Sequence, residues 1–186
     1  KRPFEAKDIK VVMYAGGLHE RYGLKKLTEA FMMLPQENFR LKLFGSGPFV
    51  EKLKTKYTKK DSRIQYMGVA PNAEVVAAEL DASLLVNPRP THEEFTKYSF
   101  PSKNIEYMAS GTPLLTTKLP GMPKEYYPYV FLIENESVEG YAKALESVLA
   151  QSDEELYVFG EKAKDFVLEK KNSFEQAKRV IELIKL

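Results

Sequence analysis

The residues best suited to chemistry lie between Pro101 and Glu106. Pro101-Ser102-Lys103 reads as a helix start, with proline in the first turn. A helix start offers free N–H groups and a positive dipole end, which suit phosphate. Pro101 has no N–H, so Ser102 and Lys103 would do the donating. Glu106 lies one turn further in, where a carboxylate can take two hydroxyls of a ribose. A blander reading has Glu106 complementing the helix dipole, and position alone leaves both open. Glycines cluster at Gly16-Gly17, Gly45-Ser46-Gly47 and Gly68-Val69. Glycine lets a backbone approach a ligand closely, although a glycine after a strand is most often only a turn. Gly45-Ser46-Gly47 lacks the third glycine of a dinucleotide fingerprint, since Val50 stands there.

Elements that must position these groups follow from hydrophobic periodicity. Strands are expected at 9–14, 39–44, 64–67, 83–86, 113–117 and 130–133. Helices are expected over 24–34, with Leu24, Leu27, Ala30, Phe31 and Leu34 on one face, and over 49–60 and 101–110. A further helix is expected to be capped by Asn72, with Val75, Val76, Ala78 and Leu80 buried. Residues 91–100 read as a loop, and Gly111 as a helix stop. Helices over 138–149, 153–170 and 173–184 complete the chain. Alternation of strand and helix predicts an α/β, Rossmann-like, doubly wound parallel sheet of about six strands with a C-terminal helical tail. In such sheets ligands bind beyond the carboxyl ends of the strands. The segments at those ends are Gly16 to Arg21, Gly45 to Gly47, Gly68-Val69, Asn87-Pro88-Arg89 and Thr117-Lys118.

Composition narrows the function classes. The 186 residues are expected to form a single domain, residues 1–186, and they carry 28 basic and 26 acidic residues for a net charge of +2. That excess is too small for a dedicated nucleic-acid binder. The absence of Cys excludes disulfides and thiolate metal sites. With two His and no Asp-x-Asp pair, no metal site is expected. Neither the phosphate loop of ATPases nor a Gly-x-Ser-x-Gly elbow occurs. No run approaches the roughly 18 apolar residues of a membrane span. His19 and His92 read as solvent-exposed loop residues. Lys52, Lys54, Lys56, Lys59 and Lys60 read as a solvated face, with contact to anionic lipid as the lesser alternative. The chain starts at Lys1 rather than Met, and the expectation is a domain cut from a longer protein.

Several segments, taken in order, resemble the C-terminal, donor-binding domain of GT-B-fold glycosyltransferases of the group 1, family 4 type. They are Tyr14-Ala15-Gly16-Gly17 with Tyr22-Gly23-Leu24 and Glu29-Ala30-Phe31, Leu43-Phe44-Gly45-Ser46-Gly47-Pro48, Ile64-Gln65-Tyr66-Met67-Gly68, and Asn87-Pro88-Arg89. The most specific is the run from Tyr98-Ser99-Phe100-Pro101-Ser102-Lys103 through Glu106-Tyr107-Met108-Ala109-Ser110-Gly111 to Pro113. That run is most similar to enzymes of capsule, O-antigen or exopolysaccharide assembly. The likeness covers about residues 9–135.

The resemblance implies a site. Glu106 takes the place of the second Glu of the family's Glu-x7-Glu motif and would hold the ribose hydroxyls. Ser102 and Lys103 would hold the donor diphosphate, and the Gly68-Val69 turn would offer backbone groups to the base. Gly16 and Gly17 would lie near the phosphates and the transferred sugar. Arg89 would be a phosphate partner with a bidentate fork. The sequence also departs from the family. Tyr98 stands where the first Glu of the motif belongs, and Gly17 and Tyr22 replace the usual Arg and Lys after the first strand. Arg21, Arg89 or Lys103 would have to supply that charge.

The implied function is metal-independent, retaining transfer from a UDP- or GDP-linked sugar to a saccharide or lipid-linked acceptor. It requires no cofactor. The partner is an N-terminal domain of the same protein, which would supply the catalytic groups, so the isolated domain would be nearly inactive. The expected location is cytoplasmic, with peripheral contact at the inner face of the membrane. Alternatives are half of a sugar-nucleotide epimerase and a binding module with a decayed site. Phe174, Ala177, Val180, Ile181 and Ile184 form an apolar stripe on the tail. It is expected to pack either on this domain's own core or on the N-terminal half.

Overall fold

A computed structural model describes residues 4–98 and 100–184. Ser99, within the most specific motif, and Lys1 to Pro3 lie outside them. Six strands, β1 (Lys10–Ala15), β2 (Phe39–Phe44), β3 (Ile64–Gly68), β4 (Leu84–Asn87), β5 (Leu114–Thr117) and β6 (Phe131–Ile133), form one sheet in the order β3-β2-β1-β4-β5-β6. Every pairing is parallel. The expected sheet is therefore present. Its centre is β1 paired to β4, where strand order reverses direction.

The strand period of two sorts β1 between two cores. Val12 and Tyr14 join one cluster, with Leu27, Phe31 and Leu145. Val11, Met13 and Ala15 join the other, with Tyr107, Met108 and Val167. All four residues of β4 are buried, as a strand covered on both faces requires. Helices α1 (Leu24–Met32) and α6 (Val138–Leu149) supply the first face. α4 (Asn72–Asp81), α5 (Ser102–Ser110) and α7 (Asp153–Lys170) serve the second. A reciprocal capping box between Ser152 and Glu155 starts α7. α8 (Ser173–Ile184) closes the described chain.

Four expectations need correction, and one of the two alternatives for the tail falls away. The helix over 49–60 is not uniform: α2 (Phe49–Lys52) passes through a π-helical segment, Leu53–Tyr57, into α3 (Thr58–Lys60). Asn72 does not cap α4, because Pro71 holds the N-cap position and no side chain bonds there. The buried residue of α4 is Glu79, while Val75, Val76, Ala78 and Leu80 are only half-buried. The loop over 91–100 contains a 3-10 turn, Glu94–Lys97, wound around the buried Thr96. The tail stripe does not pack on this domain's core. Phe174 and Ile184 are 73% and 78% exposed, and Ala177, Val180 and Ile181 also face outward.

Beyond the strands the ladder continues through the loops. Gly16 N–H donates to Phe44 O (3.1 Å), Leu18 N–H to Ser46 O (2.8 Å) and Gly45 N–H to Gly68 O (2.7 Å). The turns after β1, β2 and β3 are thus stitched side by side. Gly45 has a positive φ of 124°, and a Cβ there would sit 1.8 Å from Gly16 O. Gly45→Ala should therefore lower folding stability by about 3 kcal/mol or more, through the positive φ and the displaced Gly16 turn. Urea unfolding monitored by circular dichroism checks this, and an unchanged midpoint would contradict it.

Candidate functional site

The reversal of strand order between β1 and β4 opens a crevice at their carboxyl ends. A cleft of about 370 Å³ lies there, lined by Tyr14, Ala15, Gly16, Gly17, Asn87, Arg89, Pro101, Ser102 and Lys103. A second hollow of about 220 Å³ adjoins it and shares Ala15, Gly16 and Lys103. Phe44, Gly45, Val69, Ala70, Asn72 and Val75 complete its wall. Gly16, Gly17, Arg89, Ser102 and Lys103 therefore line the first hollow, and Val69 lines the second beside it.

Each wall has a local cause. Tyr14 is buried, and its hydroxyl donates to Gly17 O at 3.0 Å, which folds the turn after β1 back over the strand end. Burial pushes the Tyr14 phenol up to about 12, while the nearby positive charge of Arg89 pulls the other way. Gly111 stops α5 in the left-handed conformation, as expected. Pro101 is its N-cap residue, one position earlier than the first-turn placement expected. Asn104 N–H already bonds Pro101 O at 2.9 Å. The N–H groups of Ser102 and Lys103 precede that first bond and face the cleft end of the helix.

Two buried contacts aim α5. Ala15 N–H donates to Tyr107 Oη at 2.8 Å, and that hydroxyl donates to Ala15 O at 3.2 Å. Asn87 Nδ2 donates to Asn104 Oδ1 at 2.5 Å. The first ties the helix to the end of β1 and the second to the end of β4. Both tyrosine and asparagines are buried, so the contacts are sheltered from water.

The expected residues differ in placement. Gly68 ends β3 with a φ of 78° and open space beside its Cα, immediately before Val69. Val69 is 75% exposed. Glu106 is on neither wall, and its carboxylate meets Lys103 Nζ at 3.0 Å. Arg21 does not line the cleft. It sits on the short 3-10 turn Glu20–Tyr22, where its guanidinium lies 5.3 Å from the Tyr22 ring centre. Tyr98, in the place of the missing Glu, is 84% exposed.

Sequence reasoning did not single out Tyr14, Asn87, Asn104 or Glu79. Asn87 was within reach, because it ends a strand. Glu79 was not, because a Glu in a helix reads as solvent-facing. Here it is 1% exposed, and its Oε1 has no hydrogen-bond partner. Burial, reinforced by the Glu106 carboxylate and opposed by Lys103, raises it from the ordinary 4.5 to about 7. Among the described residues, no group of three or more His, Cys, Asp or Glu could hold a metal ion. Nor is any helix among them long and apolar enough to cross a membrane.

Residues 1–166 match the family described as glycosyl transferases, group 1. The chain belongs to that family, and its sheet and helical tail are those of a GT-B domain. A relative from Escherichia coli K12, WcaL, named as a colanic acid biosynthesis glycosyltransferase, is 30% identical over 112 residues. That match covers 58% of this chain and 27% of the relative, so the chain spans about a quarter of its length. The C-terminal domain of the group 1 protein LpcC from Francisella tularensis superposes with a TM-score of 0.71 at 19% identity. It covers 89% of this chain and 87% of that one. Alr3699/HepE from Anabaena, solved with UDP and glucose, has a TM-score of 0.73 at 15% identity, over 96% and 48% of the two chains.

Glu79 sets a pH dependence whose sign can be worked out. Below pH 4.5 it is protonated whether folded or unfolded. Between 4.5 and about 7 the folded chain keeps a proton that the unfolded chain has lost. Stability is thus fully present at low pH and is lost as pH rises from 4.5 through about 7, by about 3 kcal/mol for this group. Glu79→Gln cannot ionise and should be more stable than the parent at pH 8, with the gap closing towards pH 5. Thermal unfolding across that range tests this, and parallel curves for the two proteins would contradict it.

Proposed function

We propose that this chain is the half of a glycosyltransferase that binds a sugar linked to a nucleoside diphosphate. One observation carries the reading: the open end of α5, Arg89 and the Gly16-Gly17 turn converge on one cleft, with a second hollow beside it. The paired hollows suit a ligand with a charged middle and two less charged ends. The diphosphate would lie against the N–H groups of Ser102 and Lys103, with Arg89 adding charge. Glu106 would hold two ribose hydroxyls, its carboxylate steadied by Lys103. The base would enter the hollow beside Gly68 and Val69, and the transferred sugar would lie towards Gly16 and Gly17. The likeness in fold to a protein that binds UDP and glucose supports this placement.

In the reaction, the bond between the sugar's anomeric carbon and the terminal phosphate oxygen breaks. The acceptor oxygen forms the new bond and gives up its proton to the departing phosphate oxygen, and the nucleoside diphosphate leaves. This domain would stabilise the charge that grows on the leaving diphosphate, using backbone dipoles and the Arg89 guanidinium. Retention at the anomeric carbon, a UDP or GDP donor and independence from metal belong to the proposal. So do a saccharide or lipid-linked acceptor held by an N-terminal domain, and a cytoplasmic location with peripheral membrane contact. The relative named for colanic acid synthesis favours a polysaccharide pathway.

A thermal-shift panel of UDP, GDP, ADP and NAD on the 186-residue chain tests the donor site. UDP or GDP should stabilise the fold, by about 1.4 kcal/mol at ten times the dissociation constant. Glu106→Ala should abolish that shift. A shift that survives the substitution contradicts the ribose assignment, and no shift with either nucleotide at millimolar concentration contradicts the donor site.

A further inference from the structure

Four basic side chains stand near the strand ends, and their surroundings differ. Lys103 Nζ is 3.0 Å from the Glu106 carboxylate, so its charge is largely matched. Arg21 is exposed and off the cleft wall. Lys118 lies over the Tyr127 ring, beyond β5, and is also off that wall. Arg89 is half-buried on the wall and, among the described residues, has no carboxylate partner.

Aromatic rings hold Arg89 instead. Its guanidinium carbon is 5.0 Å from the Tyr22 ring centre and 5.7 Å from that of Phe95. The two rings meet edge-on at 6.0 Å and 75°. A guanidinium against aromatic faces keeps its full charge and leaves its N–H edges free to donate, unlike one engaged by a carboxylate. The surroundings make this seat stiff. Thr117 Oγ1 donates to Arg89 O. Thr91 N–H donates to the Glu136 carboxylate at 3.1 Å, fixing the chain just beyond. Tyr22 precedes Gly23, whose Cα lies so close to Pro88 that a Cβ would be 1.8 Å from Pro88 O. The turn carrying Tyr22 and the segment carrying Arg89 are therefore locked together.

We propose that Tyr22 and Phe95 are positioning residues that hold the Arg89 guanidinium over the cleft as its unmatched charge, directed at the diphosphate of the donor. The proposal rests on reading the cleft as a sugar-nucleotide site. An arginine already seated loses less side-chain freedom when the anion arrives. It also follows that removing a ring should weaken recognition of the phosphates while leaving recognition of the nucleoside intact.

The test uses the 186-residue chain, with UDP and GDP against uridine and guanosine, titrated by NMR into the millimolar range. Tyr22→Leu should weaken binding of the diphosphate about fivefold and leave nucleoside binding unchanged, the scale of one cation–ring contact. Tyr22→Phe keeps the ring and should bind like the parent. Phe95→Leu gives the same test from the other wall if Tyr22→Leu does not fold. In Arg89→Ala, adding Tyr22→Leu should cost nothing further, because both act through one charge. Three results would overturn the proposal: equal losses for nucleoside and diphosphate, unchanged diphosphate affinity in both ring variants, or additive losses with Arg89→Ala. If the parent binds the diphosphate but the ring variants bind it equally well, only the positioning role fails. If the parent binds neither diphosphate, the donor-site reading fails with it.

Discussion

The Tyr107 hydroxyl ties the middle of α5 to the last residue of β1, accepting from Ala15 N–H and donating to Ala15 O. A parallel strand ends with backbone groups that need partners, and buried ones are costly to leave unmade. Here a side chain from the opposite half of the sheet satisfies them. The consequence is geometric. Once Tyr107 is seated, Lys103 lies one turn closer to the helix start and lines the cleft with Ser102. Asn87 and Asn104 make the second tie, to the neighbouring strand β4. A helix held at two points beside the central pair of strands has little freedom to turn its open N–H groups away from the Gly16-Gly17 turn.

Polar groups are concentrated around this helix at some cost to the fold. The Glu79 carboxylate and the Asn104 amide each have a buried atom without a hydrogen-bond partner, and Glu79 shares its charged neighbourhood with Glu106 and Lys103. A domain built only for stability would fill such positions with apolar side chains. Buried groups with incomplete partners call for an explanation, and a binding role is one. The same economy governs Arg89, whose charge is held by rings rather than cancelled by a carboxylate.

The parts legible in the sequence were those set by local pattern. β4 reads as a continuous apolar run, and it is buried throughout. The last three helices fall at the expected spans. Glycines at the turns were visible, but their purpose was not: Gly45 serves the close passage of Gly16, a contact between loops that sequence spacing does not show. α4 was misread because its buried side is defined by α5 and β1 rather than by its own composition. Likewise, Tyr22, Phe95 and Arg89 lie on separate segments, and nothing in any one of them announces the others. The tail stripe was legible as amphipathic, yet it stays exposed and does not pack on this domain's core.

In the proposed function, the end of α5 and the turn after β1 receive the diphosphate of a nucleotide. Two-dimensional NMR of the ¹⁵N-labelled chain, titrated with UDP and GDP, tests it at the level of single amides. One of these nucleotides should shift the Ser102, Lys103, Gly16 and Gly17 resonances together, with Val69 responding to the base. Shifts confined to other surfaces, or Ser102 and Lys103 amides that stay fixed at saturating nucleotide, would contradict it.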